Sequence, residues 1–313
     1  MDMDISVVIC TYDGAKRLPG VLESLQGLVS PRQNWELIVV DNNSTDVTER
    51  VIEAFKRRGT LPLRYVFEPS QGHCYARNAG IRAAEGGIVA FTDDDVTVDS
   101  EWLAQVEQAF DASDCVAVGG KIIATWNCPR PRWLAVADRY RLMEVIVRFD
   151  MGEEKRPLTI PPFGANMAFR KAVFEKYGLF RTDLGRKGKS LVGFDDTEFC
   201  RRLLRAGEAI MYVPKAVVYH PVERKRLRKS YFLAWYFDYG RGSVLLNDSP
   251  ADAVAYLGVP RSTLRESGFR LLKWLLSVGP HRRFYYKLEF WRSAGEIAEF
   301  YRRARLTNGR VRA

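Results

Sequence analysis

The chain has 313 residues, 47% of them apolar and 27% charged, with a formal net charge of +10; that length can bury a sizeable core and suits one large domain, or one with a smaller appendage. The start, "MDMDISVVICTYDG", lacks a basic region followed by a long apolar stretch and a cleavage site, and no later run reaches ~18 uninterrupted apolar residues, so neither a secretory signal nor a membrane span is expected. Cys10, Cys74, Cys115, Cys128 and Cys200 are scattered, odd in number and without paired metal-ligand spacing, which suits reduced structural thiols and a cytoplasmic location.

Short apolar runs alternate with helical patterns through the first half, the signature of a parallel or mixed sheet with crossover helices. Strands are expected at 5–10, 35–41, 63–68 and 87–93, with helices near 14–28, 45–58 and 75–85; the second helix opens on "NSTD", which supplies good N-cap residues. Each strand run ends in a polar cluster: "TYDG", "DNNSTD", "EPSQG" and "TDDDV". In open α/β sheets ligands bind at the carboxyl ends of the strands, so these clusters should converge on one crevice. A further strand is expected at 115–122. A Pro- and Trp-containing excursion then covers the sheet, and an extended piece at 161–178 runs into a short helix. The loop at 185–193, with three glycines and three cations, reads as mobile, and "FDDTEFCRRLLRAGE" as a helix after it.

The basic excess is confined to the end of the chain. Residues 221–313 hold 19 Lys/Arg against 8 Asp/Glu, whereas residues 1–220 hold 29 against 30. This last part, helical from about residue 222 by pattern, is also rich in aromatics, as in "SYFLAWYFDYG" and "HRRFYYKLEFW". Basic plus aromatic composition suits an anionic membrane surface, where Trp and Tyr sit at headgroup level and Lys and Arg meet lipid phosphate. A solvated or homodimer-forming helical tail is the competing reading. No nucleic-acid recognition motif is present.

The run "FTDDDVTVD" sets Asp93, Asp94 and Asp95 side by side at a strand end. Capping and turn chemistry account for one such residue, not three. Hard divalent ions take carboxylate oxygens and keep open positions for phosphate, so a strand-end Asp pair is a natural seat for a metal–nucleotide complex.

Four stretches, in order, resemble the family 2 glycosyltransferases, inverting enzymes of the GT-A fold: "VVICTYDGAKRL", "ELIVVDNNSTDVT", "GHCYARNAGIRAAEGGIVAFTDDDV" and "FGANMAFRKAVF…GFDDTEFCRRLLRAG". The likeness covers roughly residues 4 to 220. It implies an α/β fold, a Rossmann-like GT-A mixed sheet of the nucleotide-diphospho-sugar transferase kind with flanking helices and a helical C-terminal extension. The domain expectation is a GT-A domain over 1–221 and a basic, aromatic-rich helical region over 222–313.

By the same resemblance, Thr11, Tyr12 and Asp41 hold the nucleotide base and ribose, and Arg77 reaches the nucleotide side of the cleft. Asp93 contacts ribose or bound water, and Asp95 ligates Mn²⁺ or Mg²⁺ on the diphosphate; His220 is a further metal ligand in some related enzymes. Asp94 points away and is structural if the strand alternation persists. In "FDDTEF", Asp195 takes the place of a family glutamate and Asp196 that of the catalytic base, a departure that leaves open which carboxylate acts. Gly164, Ala165 and Asn166 line the donor-sugar or acceptor pocket. The implied reaction moves a sugar from a nucleoside-diphosphate sugar, UDP-linked by expectation, to a hydroxyl on a saccharide or lipid-linked acceptor, with a peripheral position at the inner face of the plasma membrane if the tail binds lipid.

Two rivals remain at this point. "DDDVT" matches the D-x-D-x-T pattern of Mg²⁺-dependent phosphatases of the HAD type, with "GFDD" as a later acidic pair, although three strand-and-loop units precede it. A non-catalytic nucleotide-binding scaffold at a membrane is the other, against which the presence of both metal and base carboxylates argues.

Overall fold

The structure, a computed structural model, describes residues 4–29, 34–134, 140, 142–146, 148–188, 190–247 and 254–310. In chain order the elements are β1 (Ile5–Thr11), α1 (Leu18–Gln26), β2 (Trp35–Asp41), α2 (Thr48–Arg58), β3 (Leu63–Phe67), α3 (His73–Ala83), β4 (Ile88–Asp93), β5 (Thr97–Val98), α4 (Trp102–Asp111), β6 (Ala117–Thr125), β7 (Arg156–Pro157), β8 (Asn166–Arg170), α5 (Ala172–Tyr177), α6 (Asp195–Arg205), β9 (Ile210–Pro221), α7 (Lys229–Leu246), β10 (Ala255–Tyr256), β11 (Val259–Pro260), α8 (Arg261–Leu275) and α9 (Pro280–Arg310). They fall into two compact units. One comprises Met1–Asn127, Ile146–Thr182 and Asp195–Val222; the other comprises Cys128–Val145, Asp183–Phe194 and Glu223–Ala313.

The first unit is built on a sheet of order β3-β2-β1-β4-β8-β6-β9-β5, with β7 added against β9. Strands β1 to β4 are mutually parallel, β8 runs antiparallel between β4 and β6, and β9 is parallel to β6. Near-continuous Val, Ile and Leu runs make such strands, because helices cover both faces. The two-residue period divides them: Val7, Ile9, Leu37 and Val39 join the core under α1, α2 and α4, while Val8, Ile38 and Val40 join the core with residues of α3, α5 and α6.

Element boundaries shift where the sequence does other work. Helix α1 starts at Leu18 rather than near residue 14, and α2 at Thr48 rather than 45. The residues given up are turn residues: Asp13 is left-handed at φ 46° and its Oδ1 accepts the Thr45 N–H at 2.8 Å, locking the loop after β1 to the loop after β2. The "NSTD" segment contributes through Asp46, whose Oδ1 accepts the Thr48 N–H at 2.9 Å.

In the second unit α7 and α9 approach at backbone distance. A Cβ on Gly240 would lie 1.9 Å from the Arg292 carbonyl oxygen, and one on Gly295 would lie 1.9 Å from that of Phe237, so both positions need glycine. The described residues of the 185–193 loop, 185–188 and 190–193, belong to this unit and are tied down: Gly185 N–H donates to the Gly193 carbonyl at 3.2 Å, and Leu191 N–H to Asp238 Oδ2 at 2.6 Å.

Candidate active site

Parallel pairing brings the carboxyl ends of the first four strands to one edge. The register sets Thr11 beside Asp41 and Cys10 beside Asp93. Because β8 is antiparallel, its first residue, Asn166, lies beside Thr92, so residues 164–166 reach the same edge. The chain turns after Asp93 into the short strand β5, which pairs antiparallel with β9 through Thr97 and Tyr219, and this pairing brings His220 up to the aspartate turn.

The three aspartates have different surroundings. Asp94 is buried: Oδ2 accepts the Thr11 hydroxyl at 2.6 Å, and Arg17 donates to both carboxylate oxygens at 3.0 and 2.9 Å. Burial nonetheless holds its acidity weaker than an ordinary aspartate's, with Arg17 opposing the shift. The hydroxyl of Thr11, expected at the nucleotide, is therefore engaged inside the protein. Asp93 and Asp95 are half-buried and, with buried His220, form a group whose potential ligand atoms lie within 4.8 Å of one another. His220 Nε2 lies 3.5 Å from Asp95 Oδ1, and Nδ1 lies 3.2 Å from the Pro221 carbonyl oxygen. A carbonyl only accepts, so Nδ1 carries the proton of that bond and Nε2 faces the carboxylates, the second-shell arrangement typical of a ligating imidazole. Two carboxylates and an imidazole so disposed are an oxygen-and-nitrogen donor set that fits a divalent cation.

A second acidic group stands at the start of α6. Asp195 and Arg77 are both buried and meet at 2.5 Å, with His73 Nδ1 at 3.4 Å from the same carboxylate oxygen. Burial alone would raise Asp195, but the Arg77 guanidinium and then His73 outweigh it and hold the carboxyl well below its usual range. Asp196, next in sequence and half-buried, moves the opposite way, raised first by desolvation and then by the Asp195 charge. Its Oδ2 accepts the Gly164 N–H at 2.8 Å, and its Oδ1 the Thr197 N–H at 2.6 Å and the Thr197 hydroxyl at 3.2 Å, leaving lone-pair capacity on Oδ2. Gly164 is required here, because a Cβ would lie 2.0 Å from an Arg77 nitrogen. The two acidic groups are linked, since the Thr92 hydroxyl donates to the Ala165 carbonyl at 2.9 Å.

Several expected residues sit differently from the sequence reading. Arg77, expected to face the nucleotide, is 3% exposed and lies over Phe91 and Phe180 with its charge directed at Asp195. Asn166, expected in the substrate pocket, is a buried clip: Oδ1 accepts the Trp102 indole N–H at 2.9 Å, and Nδ2 donates to the carbonyls of Lys121 and Ala216 at 2.9 and 2.8 Å. Every donor of its amide is used, so it has none left for a ligand. Ala165 is buried as well. Asp41 is 3% exposed; Oδ1 accepts the Ser44 N–H at 2.9 Å and Oδ2 lies 3.3 Å from the Tyr65 hydroxyl. Tyr12 is 37% exposed at the same strand end. Among residues the motifs did not single out, His73 stands four positions before Arg77 on α3. That i, i+4 spacing puts both on one helix face and was the available signal. Arg17, four residues after Asp13, carried no such pattern.

A helix-flanked mixed sheet with acidic groups gathered at its carboxyl edge defines the class: a GT-A fold, the architecture of nucleotide-diphospho-sugar transferases. Solved structures agree in fold. The mannosyltransferase PcManGT from Pyrobaculum calidifontis, in complex with GDP-Man and Mn²⁺, superposes with a TM-score of 0.59 at 20% identity, over 96% of this chain and 74% of that one. The S. aureus protein TarS, residues 1–349 with UDP-GlcNAc, gives 0.54 at 20% identity over 98% and 92%. The model of glycosyl transferase family 2 matches residues 6–178, and the chain belongs to that family: it is a glycosyltransferase. Relatives include the glucosyl-dolichyl phosphate glucuronosyltransferase of Haloferax volcanii, 28% identical over 70% of this chain and 69% of that protein. The succinoglycan biosynthesis protein ExoM of Rhizobium meliloti is 28% identical over 74% and 70%. The phosphatase and scaffold readings find no support in these relationships.

Proposed function

We propose that the enzyme is a metal-dependent, inverting glycosyltransferase that uses a UDP-linked sugar and transfers it to a hydroxyl of a saccharide or lipid-linked acceptor. The observation that carries this reading is the Asp93, Asp95 and His220 group at the edge that also holds Asp196. Asp93, Asp95 and His220 would hold the cation, and an imidazole in the donor set favours Mn²⁺ over Mg²⁺. When bound, the ion supplies Lewis-acid stabilisation of charge on the departing diphosphate. Tyr12 would stack on the base, and Asp41 would accept an imide N–H.

The acceptor oxygen attacks the anomeric carbon as the bond from that carbon to the diphosphate oxygen breaks, so configuration inverts in one displacement. Asp196 takes the hydroxyl proton. Its raised pKa supports this assignment, since a base nearer the working pH transfers protons with better driving force. Asp195, held ionised by Arg77, acts as a positioning residue whose charge tunes its neighbour. The region 222–313 is assigned to an anionic membrane surface, where a lipid-linked acceptor would be met.

The test is nucleotide release from UDP-, dTDP- and GDP-sugars with Mn²⁺ or Mg²⁺, for the intact chain and for Asp95→Ala and Asp196→Asn. Metal-dependent release from a UDP-sugar that both variants lose supports the reading. Undiminished turnover by Asp95→Ala removes the metal role, and release confined to GDP- or dTDP-sugars removes the uridine assignment.

A further inference from the structure

Helix α8 turns a stripe of apolar side chains outward. An amphipathic surface helix ordinarily buries its hydrophobic stripe and exposes its polar one. Here the one buried residue of α8 is Ser267, and the next buried position is Ser277, just past the helix end. The packed side mixes polar and aromatic contacts: the Ser293 hydroxyl of α9 lies 3.3 Å from that of Ser267, Arg270 reaches Glu289 and Glu296 of α9 at 3.9 and 3.7 Å, and Trp274 meets Phe290 and Trp291 of α9. The opposite side carries Phe269, Leu272, Leu275 and Leu276 at 50–71% exposure, followed by Val278 at 87%. Positions 269, 272 and 276 follow the three-and-four spacing of one helix face, and Leu275 adjoins them, so the exposed side chains form a continuous stripe.

What surrounds the stripe identifies its occupant. Residues 261–287 contain seven Lys/Arg and one acid, Glu266. That acid is engaged with Arg270. Half-exposed rings border the stripe and alternate with cations: Lys287 lies over Trp274 and Trp291, and Lys273 and Arg282 lie over Tyr286. Apolar side chains outermost, a Trp/Tyr layer behind them and Lys/Arg beside the rings is the order in which a bilayer presents acyl chains, interface and anionic headgroups. At 15 residues α8 spans ~22 Å, short of the ~30 Å hydrocarbon core, so it fits lying in the interface and not crossing it. No described helix is long and apolar enough to cross a membrane.

We infer that α8 and the turn into α9 form an interfacial anchor, in which Phe269, Leu272, Leu275, Leu276 and Val278 enter an anionic lipid surface while Lys273, Arg282, Arg283 and Lys287 meet its phosphates. This rests on, and localises, the assignment of region 222–313 to a membrane surface, and it is independent of the transfer chemistry.

The experiment is co-sedimentation of the full chain with vesicles of phosphatidylcholine alone or mixed with phosphatidylglycerol, comparing it with F269S/L272S/L276S and with K273Q/R282Q/R283Q. The intact chain is expected to partition about tenfold or more in favour of the anionic vesicles. The serine variant should lose about tenfold or more of that partitioning with unchanged donor hydrolysis and unchanged thermal unfolding. The glutamine variant should lose the salt-sensitive part. Binding by the serine variant equal to that of the intact chain overturns the anchor while leaving a membrane contact elsewhere in 222–313. A dimer in sedimentation velocity that the serine variant dissociates, without vesicle binding, makes a second copy the occupant and overturns it too. An intact chain that binds neither vesicle sinks both the anchor and the broader membrane assignment.

Discussion

The two acidic groups of the sheet edge use the same residue type in opposite ways. At the start of α6 the chain supplies its own cation: Arg77 is buried against Asp195, and Asp196 is left as the carboxyl whose ionisation is made harder. At the end of β4 one aspartate, Asp94, receives an arginine, Arg17, while Asp93 and Asp95 gather round a histidine. The difference teaches that acidic clusters must be sorted by their cation. A pair neutralised by a buried guanidinium is fixed architecture with a tuned neighbour, and a pair completed by an imidazole is suited to a cation from solution.

The sharpest break in that comparison comes from removing the proposed ligand. Asp95→Ala should lower metal-dependent turnover about 10³-fold and weaken Mn²⁺ binding by titration calorimetry, with thermal unfolding in the absence of metal unchanged. Asp94→Asn, one residue away, should instead leave Mn²⁺ binding intact and lower stability, since it weakens the contact with Arg17. Equal loss of Mn²⁺ affinity in the two variants would erase the distinction drawn within the triplet.

At the α6 group, Asp196→Asn should cut transfer about 10²- to 10⁴-fold while donor binding, measured by calorimetry with the nucleoside diphosphate, stays within error. A rise in the dissociation constant matching the loss of rate would make Asp196 a binding residue. Arg77→Met should destabilise the fold by about 3–5 kcal/mol in denaturant titrations, because it leaves the Asp195 charge buried without its partner. The sign with pH follows. Asp195 is held below its ordinary 3.8, so its contribution to stability is complete above that value and is lost only as pH falls beneath it. Arg77→Met should therefore lose most of its deficit in acid, where Asp195 is protonated.

The smallest effect is the most specific. Asp196 lies above the ordinary 3.8, and the Asp195 charge is one of the causes. Asp195→Asn should then move the acidic limb of the kcat/KM profile to lower pH, by about one unit or less, whatever it does to the maximum. A limb that stays in place would show that the neighbouring charge does not tune the base.

Much of this was legible in the sequence because the relevant signals are local. Strand 35–41 is found within its expected bounds, since an unbroken run of branched apolar residues between polar clusters has few alternatives to a buried strand. The ordered motifs "TYDG", "DNNS", "TDDD" and "FDDTEF" sufficed to indicate the family, and an alternation carried past Asp93 set Asp94 apart from its neighbours, although β4 ends at Asp93 and it is the turn that directs Asp94 to Arg17. What pattern could not give was partnership. Asn166 looks like a pocket residue beside two small ones, yet its amide is used by Trp102, Lys121 and Ala216, which lie 45 to 64 residues away in sequence. The same holds for Arg77 and Asp195, 118 residues apart.

The C-terminal part divides in the same way. Its basic and aromatic content is a sum over residues and is fixed by composition alone, whereas the side of α8 that faces outward depends on what α9 offers it. Because α9 presents Ser293, Glu289 and Glu296 beside Phe290 and Trp291, Ser267, Arg270 and Trp274 of α8 turn inward while Phe269, Leu272 and Leu275 stay exposed. Sequence by itself determined the elements, the sheet edge and the acidic residues upon it, since those follow from short-range periodicity and turn chemistry. Only the tertiary structure decided which acid meets Arg17, which meets Arg77 and which gather with His220, because a charge acquires its function from neighbours that the chain brings together by folding.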